Sequence, residues 1–398
     1  MNNFFDAYNW QTMLSQHPDR NYDISEYFEI LCPRSDYPDF LDRYIELPVM
    51  QRLAGIGLLC GTDWTKLYRN RFYYSRLDHS KGVALIVWHF THDKAQTIAG
   101  LLHDISTPVF SHVSDFRKGD ALTQTATEEP TARIIRGDKE LCRLLIEDGL
   151  TTAQVEDYHI YPIADNEIPQ LSADRLEYMF PSGMALDSSW TMEEIRRCYN
   201  DITVLKNEEG KNELGFQTKE IAELYCEHFC MIGHILQLNE NKLALHMLGQ
   251  IMNLAEKEGI LSETDFMTLS EKQVMDKLDV SLLDSNNVSL SGLTRQSFKL
   301  SRLYKTFRNM TSIEHTEHAL PEDQYFCVNL KVKQRYINPL VKDSRVKPEN
   351  DNRCALCNTP MNDNHCALRL SEVSEKAHRI IEDFKAYNDT AYGCVKLI

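Results

Sequence analysis

Histidine and aspartate stand side by side at His103-Asp104, closing the run Gly100-Leu101-Leu102. Ile98, Leu101, Leu102 and Ile105 recur at helical spacing, a pattern that buries one face of a helix. An imidazole and a carboxylate at the end of that face point inwards, where such groups must be paired or must coordinate something. Metal ligation is the most economical reason to place them together. Two more donors suit the same set. His79 opens a second apolar helix, His79-Ser80-Lys81-Gly82-Val83-Ala84-Leu85-Ile86-Val87, and Asp174 lies in Ser172-Ala173-Asp174-Arg175-Leu176-Glu177-Tyr178. Two neutral nitrogens and two carboxylates fit a catalytic divalent ion (Mn, Fe, Ni, Zn or Mg) and leave coordination positions open.

A cation held by His79, His103, Asp104 and Asp174 lowers the pKa of water and offsets charge on a phosphoryl oxygen. The chemistry expected is hydrolysis of a phosphate ester. Arg76 lies one helical turn before His79, so both can face one cavity, and its planar fork suits a phosphate. The plainer role for Arg76 is an ion pair with Asp78. His112 can donate a proton or bind phosphate, or be a satisfied core histidine. His89 and His92, spaced i and i+3, read as packing or surface residues rather than ligands.

The motifs resemble the HD-domain phosphohydrolase superfamily, and within it the deoxynucleotide triphosphohydrolase-like branch. Gln51-Arg52-Leu53, Arg76-Leu77-Asp78-His79-Ser80, His103-Asp104 through Phe110-Ser111-His112, and Asp174-Arg175-Leu176-Glu177-Tyr178 follow that branch's order over residues 45 to 180. The resemblance implies a carboxylate near the metal at Asp115 and a nucleotide-packing side chain at Tyr178, whose alternative is a core tyrosine. It fails at other positions. The branch has a further histidine where this chain has Thr107, and another where Thr127 precedes Glu128. Its sugar-reading glutamine aligns with Leu58, and an Arg-Asp pair aligns with Pro181-Ser182. Ligands kept with readers lost imply a metal-dependent phosphohydrolase whose substrate, a nucleotide or phosphomonoester, is not a standard deoxynucleoside triphosphate. The alternatives are a non-catalytic HD module that senses a nucleotide or metal, and a purely structural domain without metal.

The 398-residue chain has a net charge of -16, which argues against a nucleic-acid backbone as partner, since such proteins carry a basic stripe. A small phosphate ester or nucleotide remains compatible, because a local arginine or a metal neutralises it. No apolar run reaches the length of a membrane span, and Met1-Asn2-Asn3-Phe4-Phe5-Asp6 has neither the basic region nor the apolar core of a signal peptide. A cytoplasmic location is expected. The eleven cysteines then read as reduced thiols, with Cys60, Cys226 and Cys230 as small core residues. Cys354, Cys357 and Cys366 with His365 form most of a zinc knuckle, the alternative being a solvated hairpin loop.

The fold expected is mostly α: an HD-domain helical core, then a C-terminal helical region carrying a small β element. The divisions are a wrapping segment (1–44), the metal-dependent core (45–190), a helical region (191–325), and the β element with a C-terminal helix (326–398). Leu47–Leu59 reads as a helix and 61–74 as a loop. Thr91 is the expected N-cap of the helix ending at His103-Asp104, and Pro108 its stop. Short helices are expected over 141–150 and 152–158. The stretch from Thr191 to Glu258 reads as largely helical, with Ile221, Leu224, Tyr225, Phe229, Ile232 and Ile235 at a 3.6 period. Its helices are the candidate interface of a homo-oligomer. Asp284-Ser285-Asn286-Asn287 is a polar break, and Val328, Leu330 and Val332 alternate as in a strand. Residues 332–341 and 368–371 resemble, more loosely, the C-terminal part of bacterial members of the branch.

Overall fold

The computed structural model describes residues 24–68, 70, 72–119, 130–186, 190–283, 295–342 and 367–398. These are mostly helical, with two small sheets. Helix α1 (Ile24–Leu31) precedes the central pair α2 (Arg76–Thr91) and α3 (Lys94–Leu102), then α4 (Val113–Lys118) and α5 (Ala173–Leu186). A hairpin of β1 (Ile202–Lys206) and β2 (Asn212–Phe216) leads into two long helices, α6 (Lys219–Gln237) and α7 (Asn239–Lys257). Helices α8 (Glu271–Leu282) and α9 (Arg295–Asn309) follow. The last part supplies β3 (Glu314–Thr316), β4 (Tyr325–Val328), β5 (Leu340–Lys342), β6 (Ala367–Arg369), α10 (Glu375–Ala386) and β7 (Tyr392–Lys396). Short helical turns join these elements.

Helix α2 is the core of the molecule. Ser75 and Asp78 form a capping box at its start, each side chain bonding the other's backbone N–H. Val83, Ala84, Leu85, Ile86 and Val87 are all fully buried, so the helix is surrounded rather than amphipathic. Helix α3 packs on it closely, because Gly100 sits over Val83 and Val87. The cap of α3 is not Thr91. Thr91 is the last residue of α2 and bonds back to the Val87 carbonyl, while the Asp93 carboxylate accepts from the Gln96 N–H. Helix α3 ends at Leu102, leaving His103-Asp104 in the turn that follows.

Three other expectations change. The helix over 47–59 is confined to Pro48–Gln51, with a 3-10 turn at Arg52–Gly55. Beyond it the Leu58 N–H bonds the Tyr74 carbonyl and Gly57 bridges Ser75, so pairing with a distant segment replaces helix around two glycines. The stretch from Thr191 to Glu258 contains the β1–β2 hairpin, in register Val204↔Leu214, with Gly210 at φ +75° in its turn. The strand around Val328 ends there, and residues 329–339 run without regular structure to β5.

One sheet has the order β1-β2-β5-β6, with β2 and β5 parallel; the other is β3-β7-β4. In the second, Cys327 and Cys394 lie directly opposite each other and form a disulfide. This corrects the reading of all the cysteines as reduced: cross-strand register brings two distant thiols together, which composition does not show. Cys226 and Cys230 are buried thiols. Cys60 is not helical but sits in a turn at φ +54°. Thr127, Glu128, the break at 284–287 and the cluster Cys354, Cys357, His365 and Cys366 lie outside the described residues.

Candidate metal centre

The first turn of α2 presents Arg76 and His79, the turn after α3 presents His103 and Asp104, and the second residue of α5 is Asp174. Their donor atoms converge. His79 Nε2 lies 3.2 Å from His103 Nε2, 3.1 Å from Asp174 Oδ1 and 3.9 Å from Asp104 Oδ2. His103 Nε2 lies 3.6 Å from Asp104 Oδ2 and 3.9 Å from Asp174 Oδ1.

Both histidines have their other nitrogen committed. His103 Nδ1 donates to the Gly100 carbonyl at 2.7 Å, and His79 Nδ1 to Glu177 Oε2 at 2.5 Å. With both rings neutral, as metal ligation requires, each turns an Nε2 lone pair into the shared space. Two lone pairs facing each other at 3.2 Å, flanked by two carboxylates, call for a positive charge between them. With no cation present, the same carboxylates favour a proton on the His79 ring. Burial alone would lower the pKa of His79, but Glu177 and Asp174 raise it to about 10. Burial would raise Asp104, but Arg76, His103 and His79 hold it well below the usual carboxylate range; the hydrogen bond from His79 and the charges of both histidines do the same for Asp174. The donor set fits a divalent cation.

Glu177, which the sequence did not single out, is fully buried. Besides His79 it accepts from the hydroxyls of Tyr74 (2.5 Å) and Tyr27 (3.1 Å). Its one sequence signal is its place three residues after Asp174, on the inward side of α5. Gly82 makes room for it: a Cβ there would collide with the Glu177 carboxylate.

Arg76 is buried and pairs not with Asp78 but with Asp104, its Nη1 donating to Oδ2 at 2.8 Å and its Nε to Ser111 Oγ at 3.0 Å. Thr107 donates to the other oxygen of Asp104, Oδ1, at 2.8 Å. Phe110 and Ser111 are both left-handed, at φ +60° and +51°, a conformation that costs a non-glycine residue about 1–3 kcal/mol. That turn delivers Ser111 to Arg76 and starts α4 at the next residue but one, with His112 as its N-cap.

His112 lines the cavity, and its Nδ1 pairs with Asp115 Oδ2 at 3.0 Å. Burial lowers the His112 pKa, Asp115 opposes this, and the nearby charges of Arg335 and Arg76 add to the lowering. Asp115, where the resemblance implies a carboxylate near the metal, is fully buried behind His112 and is not among the residues that line the cavity. Tyr178 does line it, one helical turn beyond Asp174. His89 and His92 join no cluster; His92 pairs with Asp36 and His89 stacks near Tyr199.

The quartet opens into a cavity of about 230 Å³. Leu58 forms part of its wall, as do Tyr68, Arg175, Gln237, Lys333 and Arg335. The last two come from residues 329–339, where the sequence offered only the looser resemblance over 332–341.

No protein-family model matches the chain. Over 129 residues it is 31% identical to a metal-dependent phosphohydrolase, cns2, of Cordyceps militaris, covering 32% of this chain and 36% of that protein. Over 157 residues it is 27% identical to the uncharacterised protein YdhJ of Bacillus subtilis, covering 38% and 46%. The matches thus span less than half the length of these curated relatives. Among solved structures, a hypothetical protein from Aquifex aeolicus superposes with a TM-score of 0.56 at 15% identity, over 91% of this chain and 93% of that one. A phosphohydrolase from Bacteroides thetaiotaomicron superposes with 0.56 at 13% identity, over 90% and 95%. The chain shares their fold. The first of these relatives is named as a metal-dependent phosphohydrolase, and this chain's own His79, His103 and Asp104 form a cluster able to hold a metal ion. Among the described residues no helix is long and apolar enough to cross a membrane.

Proposed function

We propose that the protein is a metal-dependent phosphohydrolase of the HD type that hydrolyses a small phosphate ester, a phosphomonoester or nucleotide, other than a standard deoxynucleoside triphosphate. The observation that carries the reading is the two opposed Nε2 atoms at 3.2 Å with two carboxylates beside them, opening directly into a cavity. His79, His103, Asp104 and Asp174 would hold the cation. When bound, it supplies a Lewis acid that polarises a phosphoryl oxygen and lowers the pKa of water.

The chain's own residues do the rest. Arg76 neutralises Asp104 and holds it in place. Asp115 accepts from Nδ1–H of His112, which leaves the Nε2 lone pair of a neutral imidazole for the cavity. That form takes a proton from attacking water and, as imidazolium, returns it to the leaving oxygen. Tyr178 offers a ring face and a hydroxyl to the substrate. Leu58 supports the restriction on substrate: where the resembling branch reads a sugar by hydrogen bonds, this cavity wall is apolar.

The test is elemental analysis of protein purified without chelator, repeated on Asp104→Ala, with a screen of phosphomonoesters, phosphodiesters and nucleotides in added Mn. About one metal per chain and turnover of a phosphate ester, both lost in the variant, are expected. Cleavage of deoxynucleoside triphosphates to nucleoside and triphosphate at ordinary enzyme rates would overturn the substrate reading. Absence of metal under any loading would overturn the whole.

A further inference from the structure

A second set of metal-type donors lies away from the quartet, where the sheet β3-β7-β4 meets the start of α7. His315 is the middle residue of β3, Glu240 stands in the first turn of α7, and Asp389 comes just before β7. His315 Nδ1 lies 3.1 Å from Asp389 Oδ1, and Nε2 lies 2.9 Å from Glu240 Oε1. Donor atoms of all three fall within 4.8 Å of one another.

The backbone holds the three in place. His315 pairs with Gly393 across β3 and β7, and a Cβ on Gly393 would come 2.6 Å from the Cβ of Asn239, so β7 lies tightly against the head of α7. Asp389 Oδ2 accepts from the Asn239 N–H at 2.7 Å, and Oδ1 accepts from the Thr390 N–H at 2.6 Å. Asn239 Nδ2 donates to the Thr390 carbonyl at 2.9 Å. With its oxygens taken by backbone donors, Asp389 serves to hold Nδ1–H of His315, which turns Nε2 toward Glu240. A carboxylate behind an imidazole in this way is the usual support of a metal-ligating histidine.

Glu240 is the group left short. It is 4% exposed, yet only Oε1 has a partner; Oε2 is buried with no hydrogen bond among the described residues. Lys242, buried two residues further on, forms no ion pair with either carboxylate among the described residues. A buried carboxylate that is half paired is costly. A nitrogen and an oxygen bound side by side on one ion lie about 3 Å apart, the spacing of Nε2 and Oε1 here. Both oxygens of Glu240 with Nε2 make three donors, and His315, a quarter exposed, leaves the other positions to water.

We propose that Glu240 and His315, with Asp389 holding the imidazole, form a second divalent-cation site that pins the C-terminal sheet to α7. One imidazole nitrogen with carboxylate oxygens and water suits a cation of the Mn2+ kind. Asn241 and Leu245, next along α7, line the cavity, so the pin braces one wall of the site already described. The plainer arrangement is a protonated His315 between two carboxylates, with no metal.

The test counts Mn2+ bound at equilibrium by the full-length protein, from the loss of the free ion's electron paramagnetic resonance signal. It compares the unaltered protein and Asp104→Ala, each with and without His315→Ala. One fewer bound Mn2+ is expected wherever His315→Ala is present; ions at any other place are common to each pair and drop out of the difference. Mn2+ should raise the melting temperature of Asp104→Ala and leave that of Asp104→Ala/His315→Ala unchanged. Should His315→Ala fail to fold, Glu240→Gln carries the test: its amide oxygen still accepts from Nε2–H, while affinity for the ion should fall at least about tenfold. An equal count with and without these substitutions, or a melting temperature of Asp104→Ala indifferent to Mn2+, overturns the inference in favour of the protonated triad. A count lowered by His315→Ala and untouched by Asp104→Ala upholds this site and overturns the quartet as a metal centre, so the two fail separately.

Discussion

The hydroxyl of Thr107 donates to Oδ1 of Asp104 at 2.8 Å, while Arg76 holds Oδ2 of the same carboxylate at 2.8 Å. Asp104 is thereby clamped from both sides. In the resembling branch a histidine stands at the position of Thr107; here a short hydroxyl orients the Asp104 carboxylate. Thr107→Val keeps the shape and removes the bond. Metal affinity should fall about 10- to 100-fold, the usual cost of losing such an orienting partner, with stability lowered by about 1 kcal/mol. Metal titration beside thermal unfolding reads both. An unchanged affinity would mean that Arg76 alone fixes the carboxylate.

Glu177 accepts from three donors, and Gly82 leaves it space. Glu177→Gln must turn an amide NH₂ toward at least one of those donors, and Gly82→Ala must push the carboxylate aside. Both should lower stability by about 1–3 kcal/mol and reduce metal affinity, because His79 loses its orientation. If either variant melts normally and holds metal normally, Glu177 is not the support of His79.

Asp115 lies behind His112 and out of the cavity. Asp115→Asn should cut turnover of the ester identified in the substrate screen by about 10- to 100-fold, less than the roughly 100- to 10,000-fold ascribed to the proton carrier itself. Metal content should be unchanged. A loss of metal instead of turnover would place Asp115 in the support of the quartet.

Glu271 on α8 is buried against the loop before α2, accepting from Trp64 Nε1 at 2.8 Å and the Gly57 N–H at 2.9 Å. Burial raises its pKa from 4.5 to about 7; the Trp64 bond opposes this and the nearby Asp63 adds to it. The folded state therefore binds a proton more tightly than the unfolded chain. The resulting stabilisation is complete below about pH 4.5 and is lost as the pH rises through about 7. It amounts to roughly 3 kcal/mol. Glu271→Gln has a lower baseline but should flatten that slope. Urea unfolding across this window decides, and parallel slopes in the two proteins would count against Glu271 as the titrating group.

Gly233 sits where residues 329–339 cross α6. Gly233→Ala adds a methyl 3.0 Å from the Arg335 carbonyl without altering any charge. Residues 329–339 and the Phe384 ring, which is also 3.0 Å away, must give way together, raising KM for a phosphate ester several-fold and leaving metal content intact. A KM equal to that of the unaltered protein would show that the exact seat of this segment is unimportant.

The four side chains that converge were legible because each sits in a local pattern: His79 at the head of an apolar run, His103-Asp104 at the end of another, Asp174 in a short motif. Polar residues interrupting helical periodicity at such places have few reasons to exist. The mostly helical fold followed from the same periodicity. The supporting residues were not legible, because their meaning depends on what lies opposite. Glu177 looks like any helical glutamate until His79, Tyr74 and Tyr27 surround it. Thr107 looks like a loss until it is seen bonded to Asp104. Arg335 lies in a segment without helical or strand structure, and only tertiary pairing brings it to the cavity wall. The β1–β2 hairpin escaped notice because its strands are short and lie between strongly helical neighbours.

The parallel pairing of β2 with β5, Gly215 beside Leu340 and Phe216 beside Val341, is the joint on which residues 329–339 end. Contacts between positions so far apart in the chain form late in folding, whereas α2 and α3 adjoin in sequence and meet early. During synthesis from the N-terminus, the His/Asp quartet can assemble while residues 329–339 are still on the ribosome. The four converging side chains would then be in place before residues 329–339 could complete the cavity wall. The order of assembly is written into the topology.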